Sequence, residues 1–294
     1  MVDVTRAELR VGLAQWHATD DVAANLARAE AAIEQAAGAG ADVVLLPENG
    51  LMLASGARMR EEAFDSSSSA ITSIASSARK AGVGVILGGA KFREGGRITN
   101  RALVFDAEGE LAGSYDKIHL FDARVGGQSF EASRIEEPGS DPVIVAIGEW
   151  RLGLTICYDV RFPELYRGLA LSGADVLLVP AAFTRVTGQA HWETLLRARA
   201  IENGCYVVAS ATVTPAGHVG DAFETYGHAL AIDPWGAVLE DLSDQDGVVV
   251  VVTLSREAVD KARSSLPVLE QCRPDAYTRD VRTIALTSGV SHVA

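Results

Sequence analysis

Residues 153–167 read Gly-Leu-Thr-Ile-Cys-Tyr-Asp-Val-Arg-Phe-Pro-Glu-Leu-Tyr-Arg. The first four residues form a short apolar run, which predicts a buried strand that ends at Cys157. The chain then turns at Asp159 and enters a helix that has Pro163 in its first turn. A thiol at such a turn can lie exposed at the end of a sheet, where the helix start favours the thiolate. The stretch therefore predicts a nucleophilic cysteine on an α/β fold, with a buried structural cysteine as the alternative.

The bulk composition of the chain limits its function. The 294 residues are 48% hydrophobic, enough for a large core in one α/β domain or two smaller ones. A formal net charge of −13, with no basic run, argues against nucleic acid and anionic membranes as partners. No apolar stretch approaches the length of a bilayer span, and the first residues lack the apolar region of a signal peptide. We therefore expect a cytoplasmic protein.

The number and spacing of the cysteines and histidines argue against disulfide bonds and against a metal site. Cys157, Cys205 and Cys272 are too few for a disulfide scaffold and odd in number, so we expect reduced thiols. The six histidines include no His-x-x-x-His spacing and no cysteine pair has Cys-x-x-Cys spacing, which argues against a metal site. The chain also lacks Gly-x-Ser-x-Gly, a P-loop and Gly-x-Gly-x-x-Gly, so serine hydrolase and nucleotide-binding functions have no support.

The two halves of the chain resemble each other. Residues 41–47 read Ala-Asp-Val-Val-Leu-Leu-Pro, and residues 174–180 read Ala-Asp-Val-Leu-Leu-Val-Pro. Each half has the pattern strand, helix, strand, helix, strand and hairpin, which predicts a pseudo-repeat of about 9–122 and 143–254. Two such halves favour one α/β domain built as a four-layer αββα sandwich, and one doubly wound sheet is the alternative.

Two further segments lie outside the predicted repeat. Residues 126–142 form a long, polar connection with little strand signal, which can fold over a site. Residues 265–294 form a mixed tail with apolar residues, and we expect it to pack against another surface, such as a second subunit.

Three reactive side chains, Glu48, Lys117 and Cys157, follow predicted strands. Ligands of layered α/β proteins bind beyond such strand ends. The counterpart of Glu48 in the second half is Ala181, so this position does not itself demand a carboxylate, and an ordinary solvated carboxylate is the alternative. A carboxylate can take the proton of a thiol, and an ammonium can stabilise an oxyanion. This set suits acyl transfer from a C–N bond through a thioester, with release of ammonia and hydrolysis by water.

The surrounding motifs resemble the nitrilase superfamily of carbon–nitrogen hydrolases. They are Leu-Leu-Pro-Glu-Asn at 45–49, Tyr-Asp-Lys-Ile-His-Leu-Phe-Asp at 115–122 and Thr-Ile-Cys-Tyr-Asp-Val-Arg-Phe-Pro-Glu-Leu at 155–165. The resemblance covers nearly the whole chain and is most similar to the Nit branch, which holds deaminated-glutathione amidase and omega-amidase. It implies that Cys157 is the nucleophile and Glu48 the general base. Lys117 and the backbone N–H of Tyr158 would stabilise the oxyanion.

The resemblance also implies a second glutamate that holds the lysine. The nearest match is Glu131, in Ser-Phe-Glu-Ala, but the sequence departs from the family pattern in this segment, so Glu136 and Glu137 are rival candidates. Arg161 lies four residues after the nucleophile. It can hold a carboxylate of the substrate, or it can form an ion pair at the start of the helix.

The resemblance implies an amidase that hydrolyses a small, carboxylate-bearing amide and uses no metal and no organic cofactor. It also implies a homodimer or a larger homo-oligomer. A nitrilase or an N-carbamoyl amino acid hydrolase would share the same Glu-Lys-Cys triad and is the first alternative. A non-catalytic interaction protein on the same fold is the second, and loss of a triad residue would mark it.

Overall fold

The computed structural model describes residues 7–284. Within them the strands, in chain order, are β1 (Glu8–Trp16), β2 (Val43–Leu45), β3 (Gly84–Glu94), β4 (Arg97–Phe105), β5 (Leu111–Asp116), β6 (Asp122–Val125), β7 (Gln128–Glu131), β8 (Val143–Ile147), β9 (Trp150–Leu154), β10 (Val176–Leu178), β11 (Tyr206–Ala209), β12 (Ala211–Thr212), β13 (Leu230–Ile232), β14 (Val238–Asp241) and β15 (Val248–Ser255). The helices are α1 (Val22–Gly38), α2 (Gly56–Glu61), α3 (Ser69–Ala81), α4 (Pro163–Leu171), α5 (Arg185–Asn203), α6 (Arg256–Ser265) and α7 (Pro274–Tyr277).

Two large sheets form the middle of the molecule. The first contains β12-β1-β2-β3-β4-β5 with β15 beside β1, and the second contains β14-β13-β11-β10-β9-β8. Side chains of both sheets, such as Val11 and Leu152, share one buried core. Helices α1 and α3 pack with the first sheet in a second core, which includes Ile33 and Ile74, while α4 and α5 cover the second sheet. The predicted four-layer αββα sandwich is confirmed.

The strand order of one sheet recurs in the other. In the first sheet β1, β2 and β3 are parallel and β4 and β5 follow antiparallel, and β9, β10, β11, β13 and β14 have the same order and directions. Strand β15 lies antiparallel beside β1, in the position that β8 has beside β9. It pairs with β1 from Glu8↔Ser255 to Gln15↔Val248, so the last of the described strands completes the first sheet.

The helix starts show how local chemistry sets the boundaries. Asp21 caps α1, because its carboxylate accepts hydrogen bonds from the backbone N–H groups of Ala23 and Ala24. The sequence predicts a helix from Ser66, but α3 begins only at Ser69. Asp65 accounts for the difference, since its carboxylate holds the N–H and hydroxyl of Ser67 in a turn before the helix.

The connection between the halves is more ordered than the sequence predicts. Strands β6 and β7 pair as a hairpin, with Ala123 opposite Phe130, around a two-residue turn. Gly126 and Gly127 form that turn with φ values of 59° and 83°, which glycine adopts without strain. A 3₁₀ turn, Ala132–Arg134, follows the hairpin.

The tail begins after α6. It includes the short helix α7, and Tyr277 and Ile284 are largely exposed. Residues 285–294 of the predicted tail lie outside the described residues. No helix within residues 7–284 has both the length and the apolar character that crossing a membrane requires.

Candidate active site

The structure brings Glu48, Lys117 and Cys157 together. Glu48 follows β2, Lys117 follows β5, and Cys157 follows β9 after a two-residue connection. The Nζ of Lys117 donates a hydrogen bond of 2.8 Å to Oε1 of Glu48. All three residues line one cavity, and all are buried. Side chains that follow strands of both sheets, from three distant parts of the chain, therefore meet in one cavity.

The carboxylate of Glu48 is held by three donors. Its Oε1 also accepts 2.8 Å from Nδ2 of Asn100, and its Oε2 accepts 2.8 Å from the backbone N–H of Ala182. Burial alone would raise the pKa of Glu48, but the ammonium groups of Lys117 and Lys91 and these hydrogen bonds outweigh it. Together they lower the pKa from 4.5 to about 2. Glu48 is therefore ionised at neutral pH and oriented as an acceptor.

Lys117 carries its proton in this site. Burial opposes the charge of its ammonium, but the negative charge of Glu48 and a smaller contribution from Glu136 raise its pKa above the ordinary value. The ammonium is thus a fixed positive charge next to the thiol. This is the property that stabilisation of an oxyanion requires.

The thiol of Cys157, unlike the ammonium of Lys117, is uncharged in this site. Only 8% of the residue is exposed, and burial together with the nearby carboxylate of Glu48 raises the pKa of the thiol well above its ordinary value. The sequence interpretation of an exposed thiol with a favoured thiolate is therefore wrong. The resting thiol is protonated, because burial and Glu48 outweigh the helix start and Lys117. Attack by this sulfur requires removal of its proton, and Glu48 is placed to accept it.

The turn that carries Cys157 has a specific backbone geometry. Cys157 has a φ of 48°, in the left-handed region that few non-glycine residues adopt. Its N–H donates 2.9 Å to the carbonyl of Pro180. Among the described residues, the next N–H, of Tyr158, has no acceptor. This N–H is therefore available to a ligand beside the sulfur.

Asp159 holds the turn in place, a role that the sequence did not reveal. Its carboxylate is fully buried and accepts 2.7 Å from the hydroxyl of Tyr115, 2.9 Å from the N–H of Ile156 and 3.0 Å from the N–H of His119. Nδ1 of His119 lies 2.8 Å from the same carboxylate, and its ring stacks on Phe162. Asp159 thus fixes the cysteine turn to the segment that carries Lys117.

Two adjacent glycines in β3 allow this strand to pack closely against the segment that follows β2 and against Asn100 of β4. A Cβ on Gly88 would lie 1.9 Å from the carbonyl oxygen of Leu46. Gly89 has a φ of 133°, and a Cβ there would lie 2.8 Å from Oδ1 of Asn100. The pairing of β3 with β4 shifts register at this point. Close packing at Glu48 therefore depends on the absence of side chains here.

The reactive group opens into a cavity of about 400 Å³. The β6–β7 hairpin closes one side of it, so the predicted covering role of the 126–142 segment agrees with the structure. Aromatic rings form much of the wall, with Phe121 4.9 Å from Tyr158 and Phe130 5.4 Å from Phe223, centroid to centroid. The volume suits a small molecule.

Arg161 lies in the wall of this cavity. Its guanidinium carbon lies 5.2 Å from the ring centroid of Phe183 and 5.8 Å from that of Tyr158, and Nη1 lies 3.3 Å from Nδ1 of His191. Within residues 7–284 it has no carboxylate partner. The ion pair at the helix start, one of the two sequence interpretations of Arg161, is therefore not formed.

The three candidate second glutamates occupy different environments. Glu131 ends β7 at the cavity rim, 46% exposed, and pairs with Arg134 at 2.9 Å. Glu137 is exposed and pairs with Arg97. Glu136 is buried in the cavity wall, forms an ion pair with Lys91 and acts on the charge of Lys117. The 3₁₀ turn Ala132–Arg134 lies between Glu131 at the rim and Glu136, and after this turn the chain lines the cavity again. The structure therefore places Glu136 beside the lysine, where the sequence favoured Glu131.

Lys91 and Asn100 were also missed by the sequence analysis. The sequence does carry a signal for Lys91. The apolar pattern of residues 84–92 predicts a strand, Lys91 is the one charged residue in it, and a charge inside a buried strand requires a partner. Asn100 carries no such signal. Its contact with Glu48 joins residues 52 positions apart and follows only from the sheet.

The remaining histidines lie outside the catalytic group. Among the described residues, one set of side chains could hold a metal ion, namely His17, His218 and Asp221, whose ligand atoms lie within 4.8 Å of one another. Nε2 of His17 lies 2.9 Å and Nε2 of His218 lies 3.1 Å from the carboxylate, distances typical of hydrogen bonds. None of the three lines the cavity.

Comparison with known proteins identifies relatives over most of the chain. The deaminated glutathione amidase of Yersinia enterocolitica is 37% identical over 269 residues, which cover 90% of this chain and 92% of that protein. The chloroplastic omega-amidase of Arabidopsis thaliana is 36% identical over 276 residues, which cover 92% of this chain and 74% of that protein.

Solved structures give the same result. The NitFhit protein of C. elegans superposes with a TM-score of 0.83 and 34% identity, covering 92% of this chain and 66% of that one. The amidase from Nesterenkonia sp. AN1 has a TM-score of 0.76 and 25% identity, covering 94% of this chain and 98% of that one. The latter, in a mutant form, carries the acetamide moiety of fluoroacetamide on its active-site cysteine. The model of the carbon–nitrogen hydrolase family matches residues 10–264, and the chain therefore belongs to this family, within the nitrilase superfamily.

Proposed function

We propose that the protein is an amidase that hydrolyses a small, carboxylate-bearing primary amide through a thioester on Cys157. The observation that carries the proposal is the contact of an ionised Glu48 with a protonated Lys117 beside a buried, neutral thiol. A carboxylate base, an ammonium and a thiol are the three groups that this reaction needs. Relatives named as amidases support the same reaction type.

In the first half of the reaction, Glu48 takes the proton of Cys157 as the sulfur attacks the amide carbon. The ammonium of Lys117 and the free N–H of Tyr158 stabilise the resulting oxyanion. The protonated carboxyl of Glu48 then gives its proton to the leaving nitrogen, and ammonia departs. An acyl thioester on Cys157 remains.

In the second half, Glu48 takes a proton from water, and the hydroxide attacks the thioester carbon. The same two donors stabilise the second oxyanion. Collapse of this intermediate releases the carboxylic acid, and the proton held by Glu48 returns to the sulfur. Glu48 thus serves both half-reactions, which is consistent with its three fixed donors.

Two cavity residues refine the proposal. Arg161 has a guanidinium in the wall without a carboxylate partner among the described residues, so we assign it to the carboxylate of the substrate. For the second glutamate, which holds Lys117, we favour Glu136 over Glu131, because Glu136 is buried beside the lysine and Glu131 pairs with Arg134 at the rim.

The cellular setting is also proposed. We expect a cytoplasmic protein that acts as a homodimer or a larger homo-oligomer, on the grounds of composition and family resemblance. Light scattering coupled to size exclusion would measure the oligomer directly. A monomeric mass would contradict this part of the proposal.

The decisive experiment is ammonia release from a panel of amides. The panel contains deaminated glutathione, α-ketoglutaramate, aliphatic amides without a carboxylate, carbamoyl amino acids and a nitrile. We expect the carboxylate-bearing amides to react fastest. Cys157→Ala should abolish release, whereas the matched control Cys272→Ala, in the tail, should retain the wild-type rate. Equal rates for wild type and Cys157→Ala would exclude the proposed nucleophile, and a preference for nitriles or carbamoyl compounds would favour the alternative enzymes.

The role of Arg161 has its own readout. Arg161→Met should raise KM for the carboxylate-bearing amide by about 10²-fold, the size of a lost charge-assisted contact. The rate with a neutral aliphatic amide of similar size should not change. An equal loss for both substrates would show that Arg161 does not bind the carboxylate.

A further inference from the structure

The cavity wall contains a second buried ion pair, in which Glu136, already assigned to Lys117, also binds Lys91, a residue to which the proposed mechanism gives no role. The two side chains are 10% and 1% exposed. Lys91 lies on β3 opposite Asn100 of β4, the residue whose amide holds Glu48. Lys91 is therefore part of the framework that surrounds the base, although it makes no contact with the thiol in the structure.

The charges in the cavity balance only when Lys91 is counted. Two carboxylates, Glu48 and Glu136, face two ammonium groups, Lys91 and Lys117, and all four side chains are buried. Lys117 bonds to Glu48 and is also attracted by Glu136. Without Lys91, Glu136 would be a buried carboxylate whose nearest cation is Lys117. Because an unpaired buried charge is costly, Lys117 would be drawn away from Glu48.

We propose that Lys91 is a positioning residue that neutralises Glu136, so that Lys117 stays bonded to Glu48 and close to the reacting carbon. The inference rests on the proposed amidase function. Lys91 does not touch the substrate in this account, and its effect reaches the reaction through the two carboxylates. Its own positive charge also favours the ionised form of Glu48.

A neighbouring ion pair serves as a natural control. Arg97, on β4, pairs with Glu137 at 2.7 Å, one residue along from Glu136, but these side chains are 58% and 56% exposed. Water screens such a pair, so its loss has little effect on buried charges. If Lys91 acted only by holding the 132–139 segment in place, Arg97 would be expected to act in the same way.

The test is the acid side of the pH profile of ammonia release. In the wild type, Glu48 stays ionised far below neutrality, so kcat should change less than about twofold between about pH 7 and about pH 5. In Lys91→Met, Glu48 loses both Lys91 and Lys117, and burial then raises its pKa. We expect kcat to fall by about tenfold or more over the same interval. Lys91→Arg keeps the charge, and Arg97→Met leaves the cavity intact, so both should keep the level wild-type profile.

A double variant separates this role from a direct effect on Glu48. Lys91→Met/Glu136→Gln removes both charges of the pair, so Lys117 has only Glu48 as an ionic partner. The level shape of the profile should return, at a lower overall rate because Glu136 no longer helps to hold Lys117. A level profile in Lys91→Met, or a steep profile in the double variant, would overturn the inference. If Lys91→Met does not fold, Lys91→Gln, which removes the same charge but keeps a polar side chain, is judged by the same profile. The proposed function is judged separately, because it depends on wild-type activity and its loss in Cys157→Ala.

Discussion

At the scale of single residues, the candidate site pairs a neutral thiol with an ionised acid. Thiol nucleophiles are often activated by a lowered pKa, but burial and Glu48 raise that of Cys157. In the proposed mechanism, Glu48 therefore takes the proton of the thiol during attack. This arrangement keeps the sulfur unreactive until a substrate lies next to it.

The first prediction concerns acid stability. The pKa of Glu48 is about 2 in the fold and 4.5 as an ordinary carboxyl, so its ionisation stabilises the fold at pH values above 4.5. That contribution is lost as the pH falls from 4.5 towards 2. Glu48→Gln, which cannot titrate, should show a shallower loss of unfolding free energy over this window, measured by urea denaturation at several pH values. Parallel curves for variant and wild type would contradict the lowered pKa.

The second prediction concerns Asp159. Its carboxylate accepts hydrogen bonds from four donors around the nucleophile turn, and an amide would turn an N–H towards some of them. Asp159→Asn should lower the free energy of unfolding by about 3 kcal/mol, and kcat should fall with it. The same substitution at the exposed Asp260 provides the control. An Asp159→Asn protein with wild-type stability would show that the turn does not depend on this charge.

At the scale of secondary structure elements, the strand ends at the site can pack closely because glycines without side chains lie between them. Gly88 lies where β3 passes the backbone of Leu46, two residues before Glu48. Gly113, on β5, is also a strand glycine, but a Cβ there would meet nothing within 4 Å. Gly113 therefore provides a control for substitution of Gly88.

The third prediction follows from that pair. Gly88→Ala should destabilise the protein by about 3 kcal/mol or more and reduce activity, because the added methyl overlaps a backbone atom that cannot move without moving Glu48. Gly113→Ala should leave both quantities near wild type. Thermal denaturation and ammonia release measure the two effects. Tolerance of alanine at position 88 would mean that the strand ends can separate without loss of function.

Sequence patterns predicted the elements well and the contacts between them poorly. The apolar run before Cys157, the acid after β2 and the lysine after β5 were recognisable, because each follows from local order along the chain. The β6–β7 hairpin was missed although Gly126–Gly127 is a hairpin signal. Asp159 was recognised only as a turn residue. Its four donors include Tyr115 and His119, about 40 positions away, and no local pattern reveals such a partnership.

At the scale of the whole molecule, the two halves of the chain do not form separate units. Trp16 belongs to the core beneath α1 and α3, whereas Trp192 packs on the second sheet. Both sheets contribute to the shared core between them. The candidate site contains Glu48 and Lys117 from one half of the chain and Cys157 from the other.

The fourth prediction is a single unfolding transition. Variants that retain only Trp16 or only Trp192 as the buried fluorescent reporter should show the same urea midpoint, and this midpoint should match that from circular dichroism. The reason is that neither sheet can lose its partner without exposing the shared core. Separate midpoints for the two reporters would show that the halves unfold independently.

The pairing of β15 with β1 has a consequence for biosynthesis. Eight residues of β1, Glu8 to Gln15, pair with β15, which ends at Ser255 and is synthesised long after β1. Until β15 has been synthesised, that edge of β1 lacks its main neighbour and its backbone groups remain open. We expect the nascent chain to need protection there, since this side of the sheet can close only after Ser255 has left the exit tunnel.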